Sequence, residues 1–203
     1  MSEFRRRLMM QQESNLNALP AGCVRCEYLE STGTQWIDTE YYPIAGDEMD
    51  ISNLSSKGGS SCAMSSGKDT YQFILLFTAA GLWLRYFTKL TNLVYGTVLN
   101  KYYTVKITKN GELFVDGVYR GINDDSEFGE TLEPLYLFKR SNSSAQNLRG
   151  TMGELIIFNG ENKTLHLLPI LDKDGTACMY DVVNKKFHYN KGTGEFLYKI
   201  LEQ

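Results

Sequence analysis

Histidine occurs only twice and proline only four times in 203 residues. The two histidines, His166 and His188, leave few general bases, and neither stands in a Ser or Cys motif that supports a nucleophilic triad. Basic charge is also short. The 21 Lys and Arg against 24 Asp and Glu leave a net charge of -3, whereas a nucleic-acid surface is normally marked by a basic excess. No apolar run approaches the ~20 residues that span a bilayer as a helix. The start, Met1-Ser2-Glu3-Phe4-Arg5-Arg6-Arg7-Leu8-Met9-Met10, has a basic patch with no apolar core behind it, so no secretory signal is expected. The four cysteines, Cys23, Cys26, Cys62 and Cys178, are accordingly expected as thiols in a reducing cytoplasm.

What is abundant is glycine and aromatic residues: 18 Gly, 13 Tyr and 10 Phe, with 42% apolar residues overall. That composition suits a turn-rich β protein with a substantial core, and the length fits a single all-β domain. Short apolar runs are punctuated by Asn-Gly and Asp-Gly pairs, the mark of antiparallel strands joined by tight turns. The clearest hairpin is Tyr102 to Val115, where Tyr103, Val105 and Ile107 alternate with polar residues before Asn110-Gly111. Tyr71 to Thr78 is apolar on both faces and reads as a central strand. Leu19-Pro20-Ala21-Gly22 breaks the chain before Val24. The expected division is therefore an N-terminal extension over 1–22 and a sandwich domain over 23–203. In the extension, Phe4 and Leu8 flank Arg5, Arg6 and Arg7, as in a short amphipathic docking helix; a frayed terminus is the alternative.

Two motifs carry a family resemblance. The first is RGTMGELIIFNGENKTLHLLPILDKDGTACMYDVVNKKFHYNKGTGEF, from Arg149 to Phe196. The second is Glu27-Tyr28-Leu29-Glu30-Ser31-Thr32-Gly33-Thr34-Gln35-Trp36-Ile37-Asp38-Thr39. Over residues 24 to 198 the chain resembles the laminin-G-like, concanavalin A-like jelly-roll domains of gut bacteria and their phages. The resemblance implies an all-β, two-sheet antiparallel jelly-roll sandwich and recognition of a glycan. That this recognition is without catalysis is expected from the residues themselves, through the scarcity of histidine and the missing third carboxylate described below. The alternative it leaves open is a structural or attachment subunit of a phage particle. Such a subunit would be made in the cytoplasm, carried on a virion and docked to other assembly proteins through residues 1–20.

Motifs for chemistry are incomplete. Hydrolases on this fold carry closely spaced carboxylates on one strand; Glu48 and Asp50 share a face here, but Ser52 and Asn53 stand where a third would fall. Cys23-Val24-Arg25-Cys26 has the spacing of half a zinc site with no second half. Gly192-Thr193-Gly194 lacks the third glycine and helix of a dinucleotide loop. No cofactor is expected. Calcium is common in laminin-G-like domains, and Asp172, Asp174 and Asp181 are its candidates, though the twelfth position of the Asp172 loop is Val183 rather than Glu.

The remaining signal is aromatic. Leu82, Leu84 and Tyr86 share one strand face, with Trp83, Arg85 and Phe87 on the other. Leu135 and Leu137 likewise oppose Tyr136, Phe138 and Arg140. With the leucines inward, each strand presents two rings and a guanidinium outward, as suits a sugar: rings stack on C–H faces while charged groups bond hydroxyls. Trp36 and Tyr41, beside Tyr42, extend the surface. The expected ligand-binding set is thus Trp36, Tyr41, Trp83, Arg85, Phe87, Tyr136, Phe138 and Arg140, on neighbouring strands. Packing of the same rings under loops is the alternative.

Overall fold

The computed structural model describes residues 19–67, 71–88, 93–123, 129–141 and 146–202. The docking segment expected over residues 1–20 lies, but for its last two residues, outside the described residues. Seventeen strands and no α-helix occur among the described residues. In chain order they are β1 (Val24–Thr32), β2 (Ile37–Asp38), β3 (Asp47–Ser56), β4 (Ser61–Ser66), β5 (Gln72–Thr78) and β6 (Gly81–Thr88). There follow β7 (Leu93–Tyr95), β8 (Tyr103–Ile107), β9 (Glu112–Val115), β10 (Val118–Ile122), β11 (Tyr136–Leu137) and β12 (Arg149–Met152). The last five are β13 (Leu155–Asn159), β14 (Asn162–Leu171), β15 (Ala177–Asp181), β16 (Lys186–His188) and β17 (Leu197–Ile200).

These strands form two antiparallel sheets. The smaller has six strands in the order β2-β11-β4-β5-β6-β7. The larger has eleven, in the order β10-β9-β8-β3-β12-β1-β14-β15-β16, with β13 bridging β3 and β14 and β17 added to β1. Residues directly opposite across a ladder point to the same side of the sheet. In the small sheet the row Ile37–Leu137–Met64–Leu75–Leu84 faces inward. In the large sheet the row Val115–Val105–Ile51–Leu155–Leu167 does so. All ten side chains belong to one hydrophobic core, none more than 1% exposed. The expected two-sheet sandwich of jelly-roll type is the fold.

The central strand read over Tyr71 to Thr78 is β5, flanked by β4 and β6: Phe73, Leu75 and Phe77 enter the core, while Ile74 and Leu76 pack outward beneath Trp83. Tyr86 shows how the core is pinned. It is fully buried, its hydroxyl donates to the carbonyls of Asp47 and Lys109, and it accepts the Gly46 N–H. The chain ends meet as their shared signature suggests, since β17 pairs with Cys26–Glu30 and Ile37 bridges Asn190. Gly192 permits this closure, because a Cβ there would lie 1.9 Å from the Thr34 carbonyl oxygen.

One turn departs from its sequence signature. Asn110-Gly111 is the kind of pair that takes positive φ at both residues, yet only Gly111 (φ 77°) does so. The Gly111 N–H bonds back to the Thr108 carbonyl, giving a four-residue connection in place of the two-residue one. Asp116-Gly117, between β9 and β10, does take the double-positive form, with φ of 53° and 75°.

Candidate functional site

The row next to the buried one in the small sheet is Asp38–Tyr136–Ser65–Ile74–Arg85, and it faces outward. Tyr136 and Arg85 therefore share one surface, as the sequence pattern requires, but not as neighbours. β4 and β5 lie between their strands, so the two backbones stand roughly 14 Å apart at ~4.8 Å per strand step. Each end of the row carries its own cluster.

At the β6 end, Trp83 is half-buried against Cys62, Ile74 and Leu76. The Arg85 guanidinium sits 5.3 Å from the Trp83 ring centroid and donates to Gln72 Oε1 at 2.8 Å. Burial, and then the neighbouring positive charge of Arg140, pull the Arg85 guanidinium below its ordinary value. Arg140 comes from the segment after β11, where Asn147 bridges Cys62 of the floor beneath Trp83. Its Nη1 donates to Gln146 Oε1, while its Nε is buried without a hydrogen-bond partner. Gln146 in turn donates to the Ser60 hydroxyl at 3.1 Å. One tryptophan, two guanidiniums and two carboxamides thus converge around an apolar floor.

At the β2 end, Trp36 and Tyr136 meet edge to face with ring centroids 5.6 Å apart. The Lys139 ammonium lies 3.6 Å from the Trp36 centroid and 4.9 Å from that of Tyr136, a geometry of strong cation–π attraction. Lys139 covers the ring face on which a sugar would stack, so this cluster offers charge rather than an open platform. Tyr136 is itself raised in pKa, first by burial and then by nearby Asp38.

Three expected members are elsewhere. Phe87 and Phe138 are 0% exposed and belong to the core. In the β5–β6 ladder Gln72 opposes Thr88 and Ile74 opposes Arg85, so the two residues Tyr86 and Phe87 stand against Phe73 alone. This bulge, with Phe87 at φ 50°, sends both rings inward, where they pack 4.7 Å apart. Phe138 follows a two-residue strand, takes φ 63° and bonds its N–H to the Ala63 carbonyl beside a register shift in β4. Its ring turns inward onto Phe196, at 4.9 Å. Tyr41 is also held away from the surface cluster, donating to Asp47 Oδ2 at 2.8 Å with Thr164 at 3.2 Å.

Gln72, Lys139 and Gln146 were missed by sequence reasoning. Their roles depend on pairing across β5–β6 and on the segment leaving β11, which no local pattern encodes.

The other motifs resolve individually. Glu48 and Asp50 face outward on the large sheet, across the sandwich from Trp83, and share Lys106 at 3.7 and 3.6 Å. Burial raises the Asp50 pKa despite Lys106. All four cysteines are free thiols; Cys26 lies in the core, its pKa pushed up to about 11 by burial, while Cys23 packs on the outer side beside Leu168 and Ile170. Asp172 accepts the N–H groups of Asp174 and Thr176 and the Tyr189 hydroxyl. Asp174 pairs with Lys173 at the surface, and Asp181 accepts from the His166 and Val183 N–H groups. Among the described residues no three His, Cys, Asp or Glu side chains gather as a metal site would need.

The fold is a two-sheet antiparallel β-sandwich of jelly-roll type. No known protein family matches the chain, and no curated protein does. Among solved structures it is similar to a protein of Bacteroides ovatus ATCC 8483 described as a candidate carbohydrate-binding protein. The TM-score is 0.55 and the identity 14%, over 89% of this chain and 61% of the other. This chain thus spans about three fifths of that protein's length, and the likeness is one of fold.

Proposed function

We propose that this chain is a non-catalytic glycan-binding module whose ligand lies on the outer face of the six-stranded sheet. The observation that carries the reading is the Trp83 cluster. A half-buried indole fixed on an apolar floor is bordered by the Arg85 and Arg140 guanidiniums and the Gln72 and Gln146 amides. A pyranose ring fits that chemistry, with its C–H face on the indole and its hydroxyls taking hydrogen bonds from planar donors. The shared fold with a candidate carbohydrate-binding protein supports it. Turnover forms no part of this reading. The paired carboxylates singled out in the sequence, Glu48 and Asp50, are on the opposite sheet and share one lysine.

Calorimetric titration with glycans selected on an array tests it. Trp83→Ala should weaken binding by about 1 kcal/mol, roughly fivefold in Kd, the scale of an aromatic stacking contact. Arg85→Ala should cost a comparable amount. Wild-type affinity in both variants would remove the platform and the reading with it.

A further inference from the structure

Beside the Trp83 cluster the end of the sandwich opens into a cleft of about 330 Å³, lined by Gly33, Gly58, Gly59, Ser60, Asn147 and Arg149. Its volume lies at the small end of ligand sites. Its walls are fixed by backbone and hydroxyl bonds. The Lys57 N–H bonds the Arg149 carbonyl at 2.7 Å, and the Ser56 hydroxyl reaches both the Gly58 carbonyl and the Ser61 hydroxyl. The cleft also adjoins the platform directly, since Ser60 holds Gln146 and Gln146 holds Arg140.

Two groups in the cleft are incompletely used. The Oδ1 of Asn147 is buried without a hydrogen-bond partner. The Arg149 stem packs along Gly33 and Gly58 and its Nε donates to the Thr32 carbonyl. Its Nη atoms make no hydrogen bond among the described residues. No acidic side chain lines the cleft. A buried acceptor calls for a ligand O–H or N–H, which a sulfate dianion lacks. An uncommitted guanidinium calls for a planar carboxylate. A sugar acid carries both.

Resting on the glycan reading above, we infer that the cleft is a specificity subsite for one uronic acid residue of the bound saccharide. Its carboxylate meets Arg149, a ring hydroxyl donates to Asn147 Oδ1, and the adjoining sugar lies toward Trp83.

The test is calorimetry on the full chain with matched pairs of gluco-, galacto- and manno-oligosaccharides, each neutral or ending in the corresponding uronic acid. The acid form of at least one pair should bind about tenfold or more tightly than its neutral partner, the scale of one charge-assisted contact. Arg149→Gln should erase that difference. Gly59→Leu is the second variant: a Cβ at Gly59 meets nothing within 4 Å and its φ is ordinary, so the side chain obstructs the cleft in a folded protein and should also abolish the acid preference. Trp83→Ala should weaken acid and neutral forms alike. Equal binding within every pair, or an acid preference that survives both cleft variants, overturns the subsite and leaves the platform standing. An acid preference lost with Arg149→Gln but indifferent to Trp83→Ala supports the cleft and removes the platform. Absence of binding to any pair overturns both.

Discussion

Phe138→Ala is expected to destabilise the protein by about 3–5 kcal/mol, the usual cost of emptying a buried phenylalanine site. For a chain of this length that is a fall of roughly 10 °C in Tm. The ring is fully buried against Phe196, between two sheets whose core residues are nearly all inaccessible. Because Phe138 sits at φ 63°, the backbone adds a second signature. At an ordinary position Gly is worse than Ala by ~0.5–1 kcal/mol, whereas in the left-handed region Gly escapes the strain that Ala keeps. Phe138→Gly should therefore be no less stable than Phe138→Ala. Urea denaturation of both variants checks the pair of statements. A loss under 1 kcal/mol in the Ala variant would place the ring at the surface after all.

Phe138 also marks where sequence stops being a guide. Alternation held where the β5–β6 ladder ran unbroken: Leu82 and Leu84 point inward and Trp83 and Arg85 outward. It failed at Phe87 and Phe138, where a bulge or a two-residue strand resets the alternation. A bulge is a property of two strands, because the extra residue exists only relative to a partner. Nothing within Leu82–Phe87 alone announces it. The same limit hid the order β11-β4-β5-β6. Tyr136 and Arg85 were legible as outward residues of one sheet, but the two strands between them were not, since loop closure over long separations depends only weakly on loop length. The cleft was least visible. Gly58, Gly59 and Ser60 read as a Ser/Gly loop, and only the arrival of Asn147 and Arg149 from about 90 residues away gives that loop chemistry.

The second large effect is expected at Glu154, which follows β12 and joins the charged groups of β1 and β14 on the outer side of the large sheet. Its Oε2 pairs with Arg25 Nη2 at 3.3 Å and its Oε1 with His166 Nε2. Lys163 Nζ lies 3.3 Å from His166 Nδ1, on the far side of the ring from Glu154. The Arg25 side chain is only 12% exposed and that of His166 1%. Glu154→Ala should cost about 3 kcal/mol, because it strands a largely buried guanidinium. Burial alone would raise the Glu154 pKa, but the His166 hydrogen bond and the charges of Arg25, His166 and Lys163 outweigh it and lower the value. A carboxylate depressed in the native state adds stability above its unfolded pKa of about 4.3, and that stability is lost as pH falls through the native value. His188 acts in the same sense at higher pH. Burial lowers its pKa, so the neutral ring adds stability above about 6.5 that drains away as the pH falls toward its native value. Stability followed by urea midpoint from pH 8 to pH 3 should therefore decline in two stages. Glu154→Gln should shrink the lower stage, to which Asp172 and Glu40 with their lowered pKa values also contribute, and spare the upper one, whereas His188→Gln should flatten the upper stage and spare the lower. A Glu154→Gln profile parallel to wild type below pH 4.5 would mean the carboxylate is not held by Arg25 and His166 in solution.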